Sequence, residues 1–323
     1  MLQSLCVPCA CRCRYCLLSW DGRLPGADWE RSRDYAARFA AWIKTERPEI
    51  AFHLSFGYSM EHPRLPQVLD FLRKIGSVSA KYLQCDGLRM REEEETGAFV
   101  SMLKERGIEH LNFTYYGIEA YHDRFASRRG DFQWLRRLHR AAQDAGLQTS
   151  AGIPLYQDNV SQVDELLAEL GEKNTRLFIP HAEGRGAALE RIRLRIRDFS
   201  RMSEEAQGRL NRAIYRSEAE WLAAPPPQPE QRSLLLSLTP ENIAWFESED
   251  YASVIAWAER LDEAYYSLLP PQEELLCLYG DPEGESLFSA RDLLARCQKQ
   301  FFAEHKLQPY DVTDERQSGS RRF

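Results

Sequence analysis

Strand-like and helix-like segments alternate six times over roughly the first 180 of 323 residues, and that rhythm limits the fold more than any other feature. Residues 50–56 alternate bulky and small side chains and stop at Gly57, as a buried strand does. The same reading applies to residues 2–7, 81–85 (stopped by Asp86-Gly87), 109–115, 148–154 and 175–180. Between them the apolar spacing turns helical. Trp29, Tyr35, Phe39, Trp42 and Ile43 recur along residues 29–46 behind a capping Asp28. Val68, Leu69, Phe71, Leu72 and Ile75 do so along 66–75, and further helices are predicted over 92–105, 131–145 and 160–170. An irregular loop is expected up to Gly130. Strands alternating with helices imply a parallel sheet with right-handed crossovers. No glycine-rich dinucleotide fingerprint follows the first strand, which favours a curved open barrel over a doubly wound sheet. The predicted fold is α/β: a partial (β/α)6 TIM-like barrel with a mixed α/β C-terminal extension. In such a fold the functional loops gather at the C-terminal ends of the strands.

After Arg185-Gly186 the character changes. Residues 187–223 are strongly charged and read as mostly helical, and Ala224-Pro-Pro-Pro-Gln-Pro229 reads as a stiff connector. Short strands are predicted at 234–238 and 275–279, and helices at 250–267 and 289–305. The expected organisation is a barrel over 1–190, an extension closing its mouth over 191–312, and a disordered tail over 313–323. A net charge of -7 gives no global attraction to nucleic acid, so no nucleic-acid partner is expected. No run of eighteen apolar residues offers a membrane span, and the N-terminus is too short and too polar for a secretory signal.

Five of the eight cysteines fall within residues 6–16, while Cys85, Cys277 and Cys297 stand alone and read as core residues. Such clustering suggests metal binding in a reducing cytoplasm rather than a disulfide framework. Cys9, Cys13 and Cys16 form a Cx3CxxC spacing with Tyr15 before the last. Thiolates select zinc, copper(I) or iron–sulfur clusters. Structural zinc is closed by four ligands, and a cubane cluster usually takes four cysteines, so a set of three leaves one position open for chemistry. Cys6 and Cys11 interleave with the triad, so a zinc knot or metal-buffering segment fits the spacing too. The loop follows the first strand and so falls on the functional rim, a placement that the zinc knot does not explain.

At these residues the chain resembles the radical S-adenosylmethionine superfamily, whose signature is a Cx3CxxC loop, often with an aromatic before the third cysteine. The resemblance spans about residues 1–190. It implies a [4Fe-4S] cluster held by Cys9, Cys13 and Cys16, with S-adenosyl-L-methionine chelating the fourth iron and Tyr15 beside it. The implied reaction is reductive cleavage to a 5'-deoxyadenosyl radical, which abstracts a hydrogen atom from substrate. The family's Gly-Gly-Glu segment aligns with Gly57, Tyr58 and Ser59, so the glutamate that binds the methionine amino group is missing. Thr114, Tyr116 and Arg128 (or Arg129) fall where the ribose and carboxylate are bound, and Asn159 and Gly184 fall on later strand ends of the same rim. Cys85 is placed near the lumen rim as a candidate hydrogen donor, with packing as its simpler reading. His122-Asp123 reads as a loop brace. With only Cys277 and Cys297 beyond the barrel, no SPASM-like multi-cysteine domain is expected. The implied partners are a flavodoxin- or ferredoxin-type electron donor and a peptide or natural-product substrate modified at carbon. The alternatives are a small metabolite as substrate, or a non-enzymatic zinc-binding protein.

Overall fold

The computed structural model describes residues 1–4, 7–16, 23–24, 26–56, 61–77, 80–180, 184–226 and 233–312. Cys6, Gly57, Tyr58, Ser59 and the tail from 313 lie outside the described residues.

The chain opens with β1 (Leu2–Ser4), and β2 (Val7–Pro8) pairs antiparallel with β3 (Arg23–Leu24), so that the cysteine loop lies between their two segments. Helix α1 (Trp29–Glu46) follows, its first turn capped by Asp28 accepting from the Arg31 amide at 3.0 Å. Then come β4 (Leu54–Phe56), α2 (Leu65–Lys74), β5 (Tyr82–Gln84), α3 (Glu93–Glu105) and β6 (His110–Thr114). Two helices, α4 (Glu119–Ala126) and α5 (Asp131–Asp144), lead to β7 (Gln148–Pro154), α6 (Val163–Leu170) and β8 (Thr175–Phe178). Strands β5, β6, β7 and β8 form one parallel sheet in that order. Strands β1 and β4 pair parallel in a second sheet. The βα order is that of the expected partial barrel, carried by two parallel sheets among the described residues.

Side-chain alternation gives the four-stranded sheet two unlike faces. Leu83, Cys85, Leu111, Phe113, Tyr115, Ala151, Ile153 and Leu177 pack with the inner faces of α3, α5 and α6 in one core. Gln84, Asn112 and Ser150 are register partners across three strands and share the other face. There Asn112 Nδ2 donates to Gln84 Oε1 (2.6 Å), Ser150 Oγ donates to Asn112 Oδ1 (2.7 Å), and His110 Nε2 lies 2.6 Å from Ser150 Oγ.

Beyond β8 the chain forms short 3-10 turns, α7 (Glu204–Gly208), β9 (Tyr215–Ser217) and α8 (Glu218–Ala223). β10 (Leu236–Ser237) then returns to pair parallel with β1, on the side opposite β4. α9 (Ile243–Ser248) and α10 (Tyr251–Ser267) follow, and Leu236, Phe246, Val254 and Ala258 share a core with Leu2, Leu54, Tyr35 and Phe39. The chain ends with α11 (Gln272–Tyr279), β11 (Leu287–Ser289), which pairs antiparallel with β9, and α12 (Ala290–Glu304).

Two local expectations are corrected. Residues 272–279 are helical, not a strand. The run Leu275-Leu276-Cys277-Leu278-Tyr279 carries no alternation, and a helix buries Leu275 and Leu276 while leaving Cys277 exposed, so Cys277 is not core. The loop before Gly130 contains α4, closed by Ser127 in the left-handed region (φ 53°).

Candidate functional site

β5 ends in Gln84-Cys85-Asp86-Gly87, and Gly87 is where the cysteine loop comes to rest. Its φ is +71°, and any Cβ there would collide with the Cys9 sulfur. The close approach therefore requires glycine. The loop is pinned by three backbone hydrogen bonds: Ala10 N to Gly87 O (2.9 Å), Arg12 N to Ala126 O (2.8 Å) and Arg14 N to Phe125 O (3.1 Å). The Arg12 guanidinium ties the loop to itself, donating to the carbonyls of Cys9 and Cys11 at 3.2 and 3.1 Å. Cys16 N donates to Cys13 O at 3.2 Å and closes the last turn. The loop thus sits at the C-terminal end of β5 and against the end of α4.

The cysteines divide by environment. Cys9, Cys13 and Cys16 are partly exposed free thiols, whereas Cys11 is buried. Cys11 Sγ lies 3.7 Å from Asp131 Oδ2. A hydrogen bond with Cys11, then burial, pushes the Cys9 thiol up, and a hydrogen bond with Cys13 heads the causes that push Cys11 up. The positive charge of a bound metal would reverse such shifts for a ligating thiol. Among the described residues no three Cys, His, Asp or Glu side chains stand together at metal-holding distance. By donor type the residues fit a thiophilic group: Cys9, Cys13 and Cys16 are three free thiols of one pinned loop, and Cys11 is buried.

A buried polar network supports the loop. Cys13 Sγ lies 3.1 Å from the Tyr116 hydroxyl, just beyond the end of β6. The Tyr116 amide donates to His122 Nδ1 (3.2 Å), and its carbonyl accepts from Asn159 Nδ2 (2.7 Å). His122 Nε2 donates to Asp131 Oδ2 at 3.1 Å, and Arg128 Nη1 donates to Asp131 Oδ1 at 3.0 Å. Asp131 opens α5, where a carboxylate is also favoured by the helix dipole. Asp123 accepts from the amides of Gly130 and Phe132, so His122-Asp123 is the brace its sequence suggested. Tyr15 packs on Tyr116 (ring centroids 5.5 Å) and Phe125 (5.9 Å). Tyr121, Tyr156 and Leu189 complete an apolar wall behind the sulfurs.

Asp86 lies on the same strand end. It accepts from Thr114 N (3.0 Å), Thr114 Oγ1 (2.7 Å) and Gln84 Nε2 (2.7 Å). Burial pushes its carboxyl up to about 6, against the opposing pull of those donors.

The sequence-derived candidates fall into three groups. Tyr15, Thr114 and Tyr116 converge on the cysteine loop or on Asp86. Arg128 and Asn159 brace the loop's surroundings: Arg128 also donates to Leu88 O, and Asn159, 1% exposed, donates to Tyr116 O and Pro154 O and accepts from Tyr156 N. Gly184 opens a 3-10 turn (Gly184–Ile192) whose Leu189 and Ile192 pack on the aromatic wall. The rim position of Cys85 is corrected. Gln84 and Asp86 occupy the polar face, so period-two alternation turns Cys85 into the helix-facing core, where it is 0% exposed. Asp131, Asp86 and Gly87 were missed as site residues. The signal for Asp131 is an acidic residue opening a helix directly after Gly130, and Asp86-Gly87, a strand stop by composition, belongs to the same strand end as Cys85.

No family model matches the chain, and no curated protein matches it. Among solved structures the chain is similar to coproporphyrinogen III oxidase (HemN) from Escherichia coli, described as a radical SAM enzyme. The similarity has a TM-score of 0.44 at 12% identity and covers 93% of this chain and 89% of that one.

Proposed function

We propose that this protein is a radical S-adenosylmethionine enzyme that modifies its substrate at carbon. The observation that carries the reading is the Cys9–Cys16 loop, a Cx3CxxC spacing pinned to Gly87 at a parallel strand end and to the end of α4. Cys9, Cys13 and Cys16 would hold a [4Fe-4S] cluster, and S-adenosyl-L-methionine would bind beside it. When bound, that pair supplies the electron and the sulfonium bond whose reductive cleavage yields a 5'-deoxyadenosyl radical for hydrogen abstraction. The chain's own residues position and shield. The Gly87 approach and the three backbone hydrogen bonds fix the loop, Tyr116 orients Cys13, and Tyr15, Phe125 and Tyr156 wall one side of Cys9 and Cys13. Thr114 and Asp86 present hydroxyl and carboxylate groups on the neighbouring strand ends, where the cosubstrate's polar groups would lie. Arg128, Asn159 and Gly184, together with Gly57, Tyr58 and Ser59, complete the proposed cofactor-binding set.

The substrate is proposed to be a peptide or natural product, received over the polar face of Gln84, Asn112 and Ser150, with a small metabolite as the alternative. A flavodoxin- or ferredoxin-type donor would reduce the centre. Residues 1–190 would form the catalytic barrel and 191–312 its C-terminal extension. Anaerobic reconstitution tests the reading. The protein should turn brown, bind about four irons per chain and release 5'-deoxyadenosine under dithionite. Cys13→Ala should lose both properties, and Cys11→Ala should keep both. Colourless protein holding tight zinc, with no cleavage, overturns the proposal in favour of a zinc-binding protein.

A further inference from the structure

A cavity of about 350 Å³ opens between α1 and the α9–α10 turn. Four aromatic side chains wall it: Tyr35 and Trp42 from α1, Phe246 from α9 and Tyr251 from α10. The rings brace one another, with Tyr35–Phe246, Tyr35–Tyr251 and Trp42–Tyr251 centroids 5.6, 5.7 and 5.8 Å apart. Tyr35 is 1% exposed, yet its hydroxyl has no hydrogen-bond partner. A buried polar group left unpaired is destabilising, so an orphan hydroxyl in a cavity wall calls for an explanation. The ionisable groups acting on that hydroxyl are Tyr251 and Arg38, both of which line the cavity.

Charge decides what the cavity suits. Three carboxylates line it, against one guanidinium. Glu247 faces two guanidinium groups, Arg31 through a bidentate contact and Arg38 from the cavity lining, and Asp250 caps α10 through Ser253. The Glu249 carboxylate has no partner among the described residues. An unneutralised carboxylate and an orphan phenol oxygen, set among aromatic rings, match an ammonium carried on an apolar body. We propose that this cavity is a binding site for a small organic amine, separate from the cysteine loop, with Glu249 and Tyr35 accepting from the ammonium and the rings of Trp42, Phe246 and Tyr251 receiving its hydrocarbon part.

The test uses the full chain and 2-phenylethylamine, protonated at neutral pH, against its uncharged isostere 2-phenylethanol. Calorimetric titration should show the amine binding about tenfold more tightly than the alcohol. Glu249→Gln should remove most of that preference, and Tyr35→Phe should weaken the amine by about threefold. Neither change removes a partner used in folding, so both variants should give the parent's circular dichroism, with Tyr35→Phe melting at or above the parent because it deletes an unpaired buried hydroxyl. Equal binding of amine and alcohol, binding of neither, or a preference that survives Glu249→Gln overturns the site. A Tyr35→Phe protein that binds the amine like the parent overturns the assignment of the hydroxyl.

Discussion

The Cys13 sulfur lies 3.1 Å from the hydroxyl of Tyr116, a ring that is 2% exposed and stacked on Phe125 at 4.7 Å. A buried phenol beside a ligating thiolate would donate to it and stabilise negative charge on sulfur. Hydrogen bonds to cluster sulfurs are one lever on reduction potential. Tyr116→Phe keeps the ring and removes the donor. The reconstituted variant should load iron normally and show a lower midpoint potential in an EPR-monitored redox titration. An unchanged potential would mean that Tyr116 only fills space.

Gly87→Ala places a methyl group against the Cys9 sulfur at a backbone angle that non-glycine residues avoid. Such a conformation costs on the order of 1–3 kcal/mol, before the collision is counted. The loop should detach from β5 while the sheet stays formed. Iron content after reconstitution should fall severalfold with unchanged far-ultraviolet circular dichroism. Gly171→Ala shares the positive φ but has open space around it, and should load iron like the parent.

Asp131 accepts from His122, Arg128 and Cys11 at once. Asp131→Asn puts an amide against those donors and removes the charge opposite Arg128. Loss of a buried charge partner costs about 3–5 kcal/mol, and urea denaturation should show a destabilisation of that order. Cys11→Ala, which removes only the weakest donor, should cost about 1 kcal/mol.

Asp86 gives a pH signature in the metal-free protein. Its carboxyl is raised from 3.8 to about 6 in the fold, so folding favours the protonated form. Its contribution is complete below the unfolded value and is lost as pH rises through the folded one. Two pKa units correspond to about 3 kcal/mol. Relative to Asp86→Asn, the parent should lose stability by up to that amount between pH 4 and pH 7, measured by chemical denaturation across pH. A flat difference would show that the carboxyl titrates normally.

Regular periodicity made most of the fold legible. Residues 29–46 and 148–154 form a helix and a strand with those bounds, because their apolar spacing and flanking Asp28 and Gly146 agree. The same arithmetic failed at residues 275–279, where five apolar or aromatic residues in a row carry no period and the acidic first turn at Glu273 and Glu274 was the better signal. At the site, Cys9, Cys13 and Cys16 stand out by their spacing and Tyr116 by the resemblance, and the structure sets Tyr116 against Cys13. Asp131 does not stand out, since its partners come from residues 11, 122 and 128 and only the fold brings them together. For Cys85 the structure keeps the packing reading over the hydrogen-donor one, because Gln84 and Asp86 take the polar face and alternation turns Cys85 into the core.

The pairing of β1 with β10 also sets an order of events during synthesis. Leu2 and Gln3 pair with Leu236 and Ser237, and the terminal ammonium of Met1 donates to Leu234 O at 2.6 Å. As the ribosome delivers about 5–20 residues per second, the strand that leads into the cysteine loop waits on the order of tens of seconds for its second neighbour. Until then its free edge is an open pairing site, although Gly87, Phe125 and Ala126, which pin the cysteine loop, have already been made. A chain that stops before residue 236 would therefore carry the cysteine loop and its anchors beside a strand with one edge unpaired.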